Sequence, residues 1–144
     1  MTNTQKILLV EDDELDAEMT ISALKEIPLQ NEILWLENGE ELMDYLEEKG
    51  SGKISLCILD LKMPVMSGLE ALIEIKEAGE KYCNFPIVVL TSSQESPEVN
   101  RCYELGISAF VTKPVQQEEF KDAVRTLGLF WGLFNVLPKK SGFS

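Results

Sequence analysis

Short apolar runs alternate along the chain with longer stretches whose apolar residues recur three or four positions apart. The runs are Ile7-Leu8-Leu9-Val10, Glu32 to Leu36, Ile54-Ser55-Leu56-Cys57-Ile58-Leu59, Pro86-Ile87-Val88-Val89-Leu90 and Ser108 to Thr112. Helical spacing fills the gaps: near 14–26 (Leu15, Met19, Ala23, Ile27), after Asn38-Gly39 (Leu42, Tyr45, Leu46), near 68–79, near 97–105 and from about Gln116. Pro28, Gly50-Ser51-Gly52 and Gly106 supply the breaks. Continuous apolar runs suit strands buried on both faces. Strands separated by helices imply right-handed crossovers and a parallel sheet.

Five such β-then-α units predict a three-layer α/β sandwich, flavodoxin-like, with strand order 2-1-3-4-5. The chain has 144 residues, which suits one domain over 1–144. Its 13 Lys and Arg against 25 Asp and Glu leave a net charge of −12, with no basic stripe for nucleic acid. It has no histidine, which excludes Ser-His-Asp and Cys-His catalysis and His-ligated zinc. No apolar run approaches bilayer length, and the N-terminus lacks a signal pattern, so a cytoplasmic protein without membrane contact is expected. Cys57, Cys83 and Cys102 have no C-x-x-C spacing and read as free thiols in a reducing compartment.

In parallel α/β sheets the working groups collect at the carboxyl ends of the strands. Those ends carry Glu11-Asp12-Asp13, Asp60, Thr91 and Lys113. Taken singly, each has an ordinary explanation: helix capping for Asp13, turn chemistry for Thr91, a solvated charge for Lys113. Together they form a cluster. Carboxylates about 5 Å apart at an effective dielectric near 20 repel by roughly 3 kcal/mol per pair. Such a cluster calls for a cation, and an all-oxygen donor set in an open site suits Mg²⁺. With that cation and Lys113 offsetting the charge of an incoming phosphate, Asp60 is the best candidate for a nucleophile towards phosphorus, and Thr91 a hydrogen-bond donor to a phosphoryl oxygen.

The segments Ile7 to Asp12, Ile58-Leu59-Asp60-Leu61-Lys62-Met63-Pro64-Val65-Met66-Ser67-Gly68, Val88-Val89-Leu90-Thr91-Ser92 and Ala109-Phe110-Val111-Thr112-Lys113-Pro114 resemble, in order and spacing, the response-regulator receiver domains of two-component signalling. The resemblance implies that Asp60 is the phosphoacceptor for a histidine kinase and that Asp12 is a direct Mg²⁺ ligand. Glu11 would act mostly through water, and the backbone carbonyl of Lys62 would complete the protein's share. Thr91 and Phe110 would be the switch pair, Lys113 the phosphate-pairing cation, aimed inward by a cis Lys113–Pro114 bond. Lys62 and Ser93 fall where the family tunes phosphoryl lifetime. Asp13 lies one past the family pair and keeps its capping role.

Beyond the last helix the chain continues as an almost wholly apolar stretch, about 127–138, including Phe130, Trp131 and Phe134. It is too short for a bilayer and too short for a helix-turn-helix unit. Packing back on its own sheet and a shared interface, in a homodimer or with a partner, are the main expectations, with membrane-surface contact a third that the acidic balance disfavours. Stand-alone length, this Phe-Trp tail, the loop from Pro28 to Glu32 and the region of Lys53 resemble regulators paired with bacterial phytochrome-type histidine kinases. A receiver of this kind is expected to be no enzyme beyond taking and losing its own phosphoryl group. The rivals are a Mg²⁺-dependent aspartyl-phosphate hydrolase of the haloacid dehalogenase type, whose Asp-x-Asp spacing Glu11-Asp12-Asp13 lacks, and a phosphorylation-independent interaction module.

Overall fold

The computed structural model describes residues 5–82, 85–92, 96–114 and 116–134. Strands β1 (Lys6–Val10), β2 (Glu32–Leu36), β3 (Ile54–Leu59), β4 (Ile87–Thr91) and β5 (Ala109–Thr112) alternate with helices α1 (Glu14–Lys25), α2 (Gly39–Lys49), α3 (Gly68–Glu77), α4 (Ser96–Glu104) and α5 (Gln117–Leu127). The strands pair in parallel in the order β2-β1-β3-β4-β5, as the apolar runs predict. A 3₁₀ turn at Gly79–Tyr82, not anticipated from spacing, follows α3. Among the described residues no helix is long and apolar enough to cross a membrane.

Alternation along the buried strands divides the core in two. Leu8, Val10, Cys57, Leu59 and Val89 face α2, α3 and α4 and pack with Leu42, Leu46, Ala71, Leu72 and Cys102. Ile7, Leu9, Leu56, Ile58, Val88 and Leu90 face the other way, against Ala17, Ala23 and Leu24 of α1 and Phe120 and Val124 of α5. Every residue of β3 and of β4 is buried, so the strands that lead to Asp60 and Thr91 are fully enclosed. Local caps set where the helices begin. Asp13 accepts from the Asp16 N–H, Asn38 from the Glu41 N–H, and Ser67 and Glu70 form a reciprocal capping box.

The loop from Asp60 to α3 is held tightly. The Gly68 N–H donates to the Leu61 carbonyl, and the Gly39 N–H at the start of α2 donates to the Met66 carbonyl. A β-carbon at Gly68 would lie 2.2 Å from the Asp60 carbonyl oxygen, so only glycine lets α3 begin there. Val65 has φ +68°, with the Met66 N–H donating to the Pro64 carbonyl across it at 2.7 Å. That is a strained γ-turn at a β-branched residue.

The tail continues α5 as a widened, π-type helical turn, Gly128–Phe134. Trp131 packs against the α1/α5 core, while Phe130 is 51% exposed and meets Trp131 edge-on at 4.9 Å between ring centroids. The expectation that the tail packs back on its own chain is met at Trp131, whereas its neighbour Phe130 faces solvent. Residues 135–138 of the stretch lie outside the described residues, as do Cys83 and Ser93.

Two outcomes are expected. Gly68→Ala should lose about 2 kcal/mol or more in urea unfolding through backbone collision, whereas Val65→Gly, which is 74% exposed and gives up little burial, should gain about 1 kcal/mol by releasing strain. Cys57 and Cys102 are free and buried, and burial pushes their thiols up to about 12 and about 11. Because the thiolate is the reactive form, both should label with iodoacetamide at pH 8 at least ~100-fold more slowly than after unfolding, read by peptide mass mapping. Fast native labelling of either would contradict the packing.

Candidate phosphoryl-transfer site

The site is built at the carboxyl edge of the sheet. Glu11 follows β1, Asp60 follows β3, Thr91 closes β4 and Lys113 follows β5. Hydrogen bonds from the Glu11 N–H to the Leu36 carbonyl, the Asp60 N–H to the Val10 carbonyl and the Lys113 N–H to the Thr91 carbonyl carry the parallel pairing one residue past the strands. The functional side chains thus inherit the spacing of the sheet. Trp35 of β2 adds a further hold, its indole N–H donating to the Glu11 carbonyl at 2.7 Å.

The Lys113 ammonium is the centre of the arrangement. Its Nζ lies 2.8 Å from Glu11 Oε1, 2.8 Å from Asp16 Oδ2 and 3.2 Å from Asp60 Oδ2. Glu11 and Asp60 are buried and Asp12 is exposed. Each of the three offers a carboxylate oxygen, all within 4.8 Å of one another. The second Glu11 oxygen accepts the Asp13 N–H and Asp60 Oδ1 accepts the Lys62 N–H at 3.3 Å. Burial raises the Glu11 carboxyl well above the ordinary carboxylate range, and Asp60 adds to this while Lys113 opposes it. Burial also works against the Lys113 charge, but its hydrogen bonds to the Asp16 and Glu11 carboxylates outweigh it and leave the ammonium above its usual value.

An all-oxygen donor set with two buried carboxylates and one exposed one fits a hard divalent cation. The Thr91 hydroxyl is fully buried and has no hydrogen-bond partner among the described residues. An orphaned hydroxyl of this kind is costly, about 1–3 kcal/mol, and points to a partner that arrives later. Phe110 is half-buried against the α2/α3/α4 core.

The structure thus brings Glu11, Asp12, Asp60, Thr91 and Lys113 together. Asp13 caps α1, as its position suggested. One expectation needs correction: no peptide bond among the described residues is cis, so the Lys113–Pro114 bond is trans. The lysine reaches the carboxylates regardless, because its long stem extends from a backbone already anchored on Thr91. Sequence reasoning missed Asp16 and Trp35. Asp16 reads as one more helix-start acid, and only its spacing of one turn from Asp12 hints at a shared face.

Comparison with known proteins agrees with this geometry. Residues 7–125 match the family model described as the response regulator receiver domain. The response regulator Rcp1 of Synechocystis is 33% identical over 92% of this chain and 92% of its own length. A probable methanogenesis regulatory protein, FilR2, from Methanothrix harundinacea is likewise 33% identical, over 92% of this chain and 86% of its own. Among solved structures, the Mn²⁺-bound form of Rcp1 superposes with a TM-score of 0.85 at 32% identity, covering 94% of this chain and 99% of that one. The bacteriophytochrome response regulator AtBRR is 40% identical with a TM-score of 0.68, over 92% and 99% of the two chains. With its sheet order, its strand-end carboxylates and its matching sequence in agreement, the chain belongs to the response-regulator receiver-domain family.

Proposed function

We propose that this chain is a single-domain response regulator that takes a phosphoryl group from a phosphohistidine of a partner kinase onto Asp60, with Mg²⁺ as the cation. The observation that carries this reading is the meeting of Asp60 with Lys113 at 3.2 Å beside an acidic pair whose charge needs a cation. In the transfer, an Asp60 carboxylate oxygen bonds to phosphorus as the P–N bond breaks. The electron pair and a proton remain with the donor imidazole. Asp12, Asp60 and the Lys62 carbonyl would hold the cation, with Glu11 contributing through water. When bound, the cation offsets charge on the phosphoryl oxygens. Lys113 supplies the second positive charge, and Thr91 turns its unused hydroxyl to a phosphoryl oxygen.

That turn vacates the volume beside β4, and Phe110 repacks into it. The switch is then a shift between two packings of the α4–β5–α5 face. Having no phenol oxygen, Phe110 works by packing alone. The chain's own chemistry ends with loss of the phosphoryl group to water, so it is a phosphoacceptor rather than a turnover enzyme. Free, buried Cys57 and Cys102 suit the reducing cytoplasm. The similarity to Rcp1 and to AtBRR supports a phytochrome-type histidine kinase as the donor. Exposed Phe130 on the tail that extends α5 supports a homodimer through this end of the molecule.

Incubation with acetyl phosphate and Mg²⁺ should add one phosphoryl mass to the intact chain. The adduct should be absent in Asp60→Asn and absent with chelator. A folded, metal-supplied wild-type chain that gains no mass sinks the proposal. Steady phosphomonoester hydrolysis that survives Asp60→Ala would instead favour a hydrolase. For the tail, Phe130→Asp should lower the mass measured by light scattering while Trp131, kept in place, preserves the fold. An unchanged mass rejects the dimer contact.

A further inference from the structure

We infer that Asp16 is a positioning residue for the phosphoryl-transfer reaction: it holds the Lys113 ammonium at rest, and the phosphoryl group on Asp60 must win the ammonium from it. The inference rests on Asp60 being the acceptor. An ammonium has three N–H donors, and here all three are committed, to Glu11, Asp16 and Asp60. The contact to Asp60 is the longest of the three, at 3.2 Å against 2.8 Å for Glu11 and Asp16.

The ordinary role for Asp16 is already taken by another residue. It is the third residue of α1, where a carboxylate usually reaches back to the N–H of the capping residue. That N–H, on Asp13, donates instead to Glu11 Oε2 at 3.2 Å. Asp16 gives its own N–H to Asp13 Oδ1 and turns its side chain to Lys113.

Phosphoryl transfer changes the demand on the lysine. When the Asp60 oxygen bonds to phosphorus and the leaving group departs with its electron pair, one negative charge becomes a phosphoryl dianion with new acceptor oxygens. Lys113 has no N–H to spare, so one carboxylate must yield. The side chains of Glu11 and Asp60 are 4% and 9% exposed, while Asp16 is 26% exposed. Water can take over the hydrogen bonds of Asp16 at the lowest desolvation cost, so Asp16 is the partner that lets go. Until it does, it competes with the phosphoryl group and slows its acceptance.

The test follows phosphorylation by acetyl phosphate with Mg²⁺, using intact mass over time, in wild type, Asp16→Asn, Lys113→Met and the double variant. Asp16→Asn should accept roughly three- to tenfold faster at low ionic strength, and the gain should shrink in high salt because the group is partly open to solvent. In the Lys113→Met background the gain should vanish, a dependence that a purely structural role in α1 would not produce. Asp16→Glu, which keeps the charge, should stay close to wild type, and Asp16→Ser serves if the amide disturbs the first turn. Acceptance by Asp16→Asn at or below the wild-type rate overturns the inference, as does a gain that persists without Lys113. A wild-type chain that takes no phosphoryl group overturns the acceptor reading itself, which separates the two failures.

Discussion

Everything at the carboxyl edge of this sheet depends on one buried ammonium. Glu11, Asp16 and Asp60 project from three different elements into a space where their mutual repulsion would otherwise force them apart or protonate them. Lys113 makes the assembly possible by donating to all three. The consequence is a site poised between protonation and metal binding: Glu11 is held well above its ordinary range by burial, yet its oxygens are already aimed by Lys113 and the Asp13 N–H. A divalent cation held by Glu11, Asp12 and Asp60 would offset their charge and, with Lys113, that of a further negative group.

The scaffold around the ammonium is rigid where aim matters and left unsatisfied where movement is proposed. The loop after Asp60 is clamped from both sides, by Gly68 against the Asp60 backbone and by Gly39 on the Met66 carbonyl, and it carries strain at Val65. Strain of that size persists only because the surrounding hydrogen bonds over-determine the turn. Opposite it, Thr91 keeps a buried hydroxyl with no partner among the described residues. The backbone after Asp60 is thus closely constrained, whereas the side chain that would answer phosphorylation of Asp60 has a reason to leave its present place.

The division of the core explains how a small change at this edge can reach a surface. Lys113 and Phe110 sit on or next to β5, an edge strand that among the described residues pairs with β4 alone. Phe110 lies against the α2/α3/α4 side of the core, and its backbone N–H donates to the Tyr103 hydroxyl on α4. The tail turn, with Trp131 packed inward and Phe130 outward, closes the opposite side next to α1 and α5. A rearrangement at the end of β5 therefore meets α4 on one side and α5 on the other.

The sequence by itself determined the five apolar runs, their parallel order, and the residues at the strand ends, because burial on both faces demands continuous apolar strands and the topology then places their ends together. Glu11, Asp12, Asp60, Thr91 and Lys113 were legible for that reason. Asp16 and Trp35 were not: a first-turn aspartate and a strand tryptophan have sufficient local explanations, and only three-dimensional packing shows that one pairs with Lys113 and the other grips the Glu11 carbonyl. The trans Lys113–Pro114 bond and the split of the tail between core and solvent were likewise decided by tertiary structure. Local pattern specifies which face a side chain takes, but the partner it finds there depends on how separate elements meet, and that is a property of the whole fold.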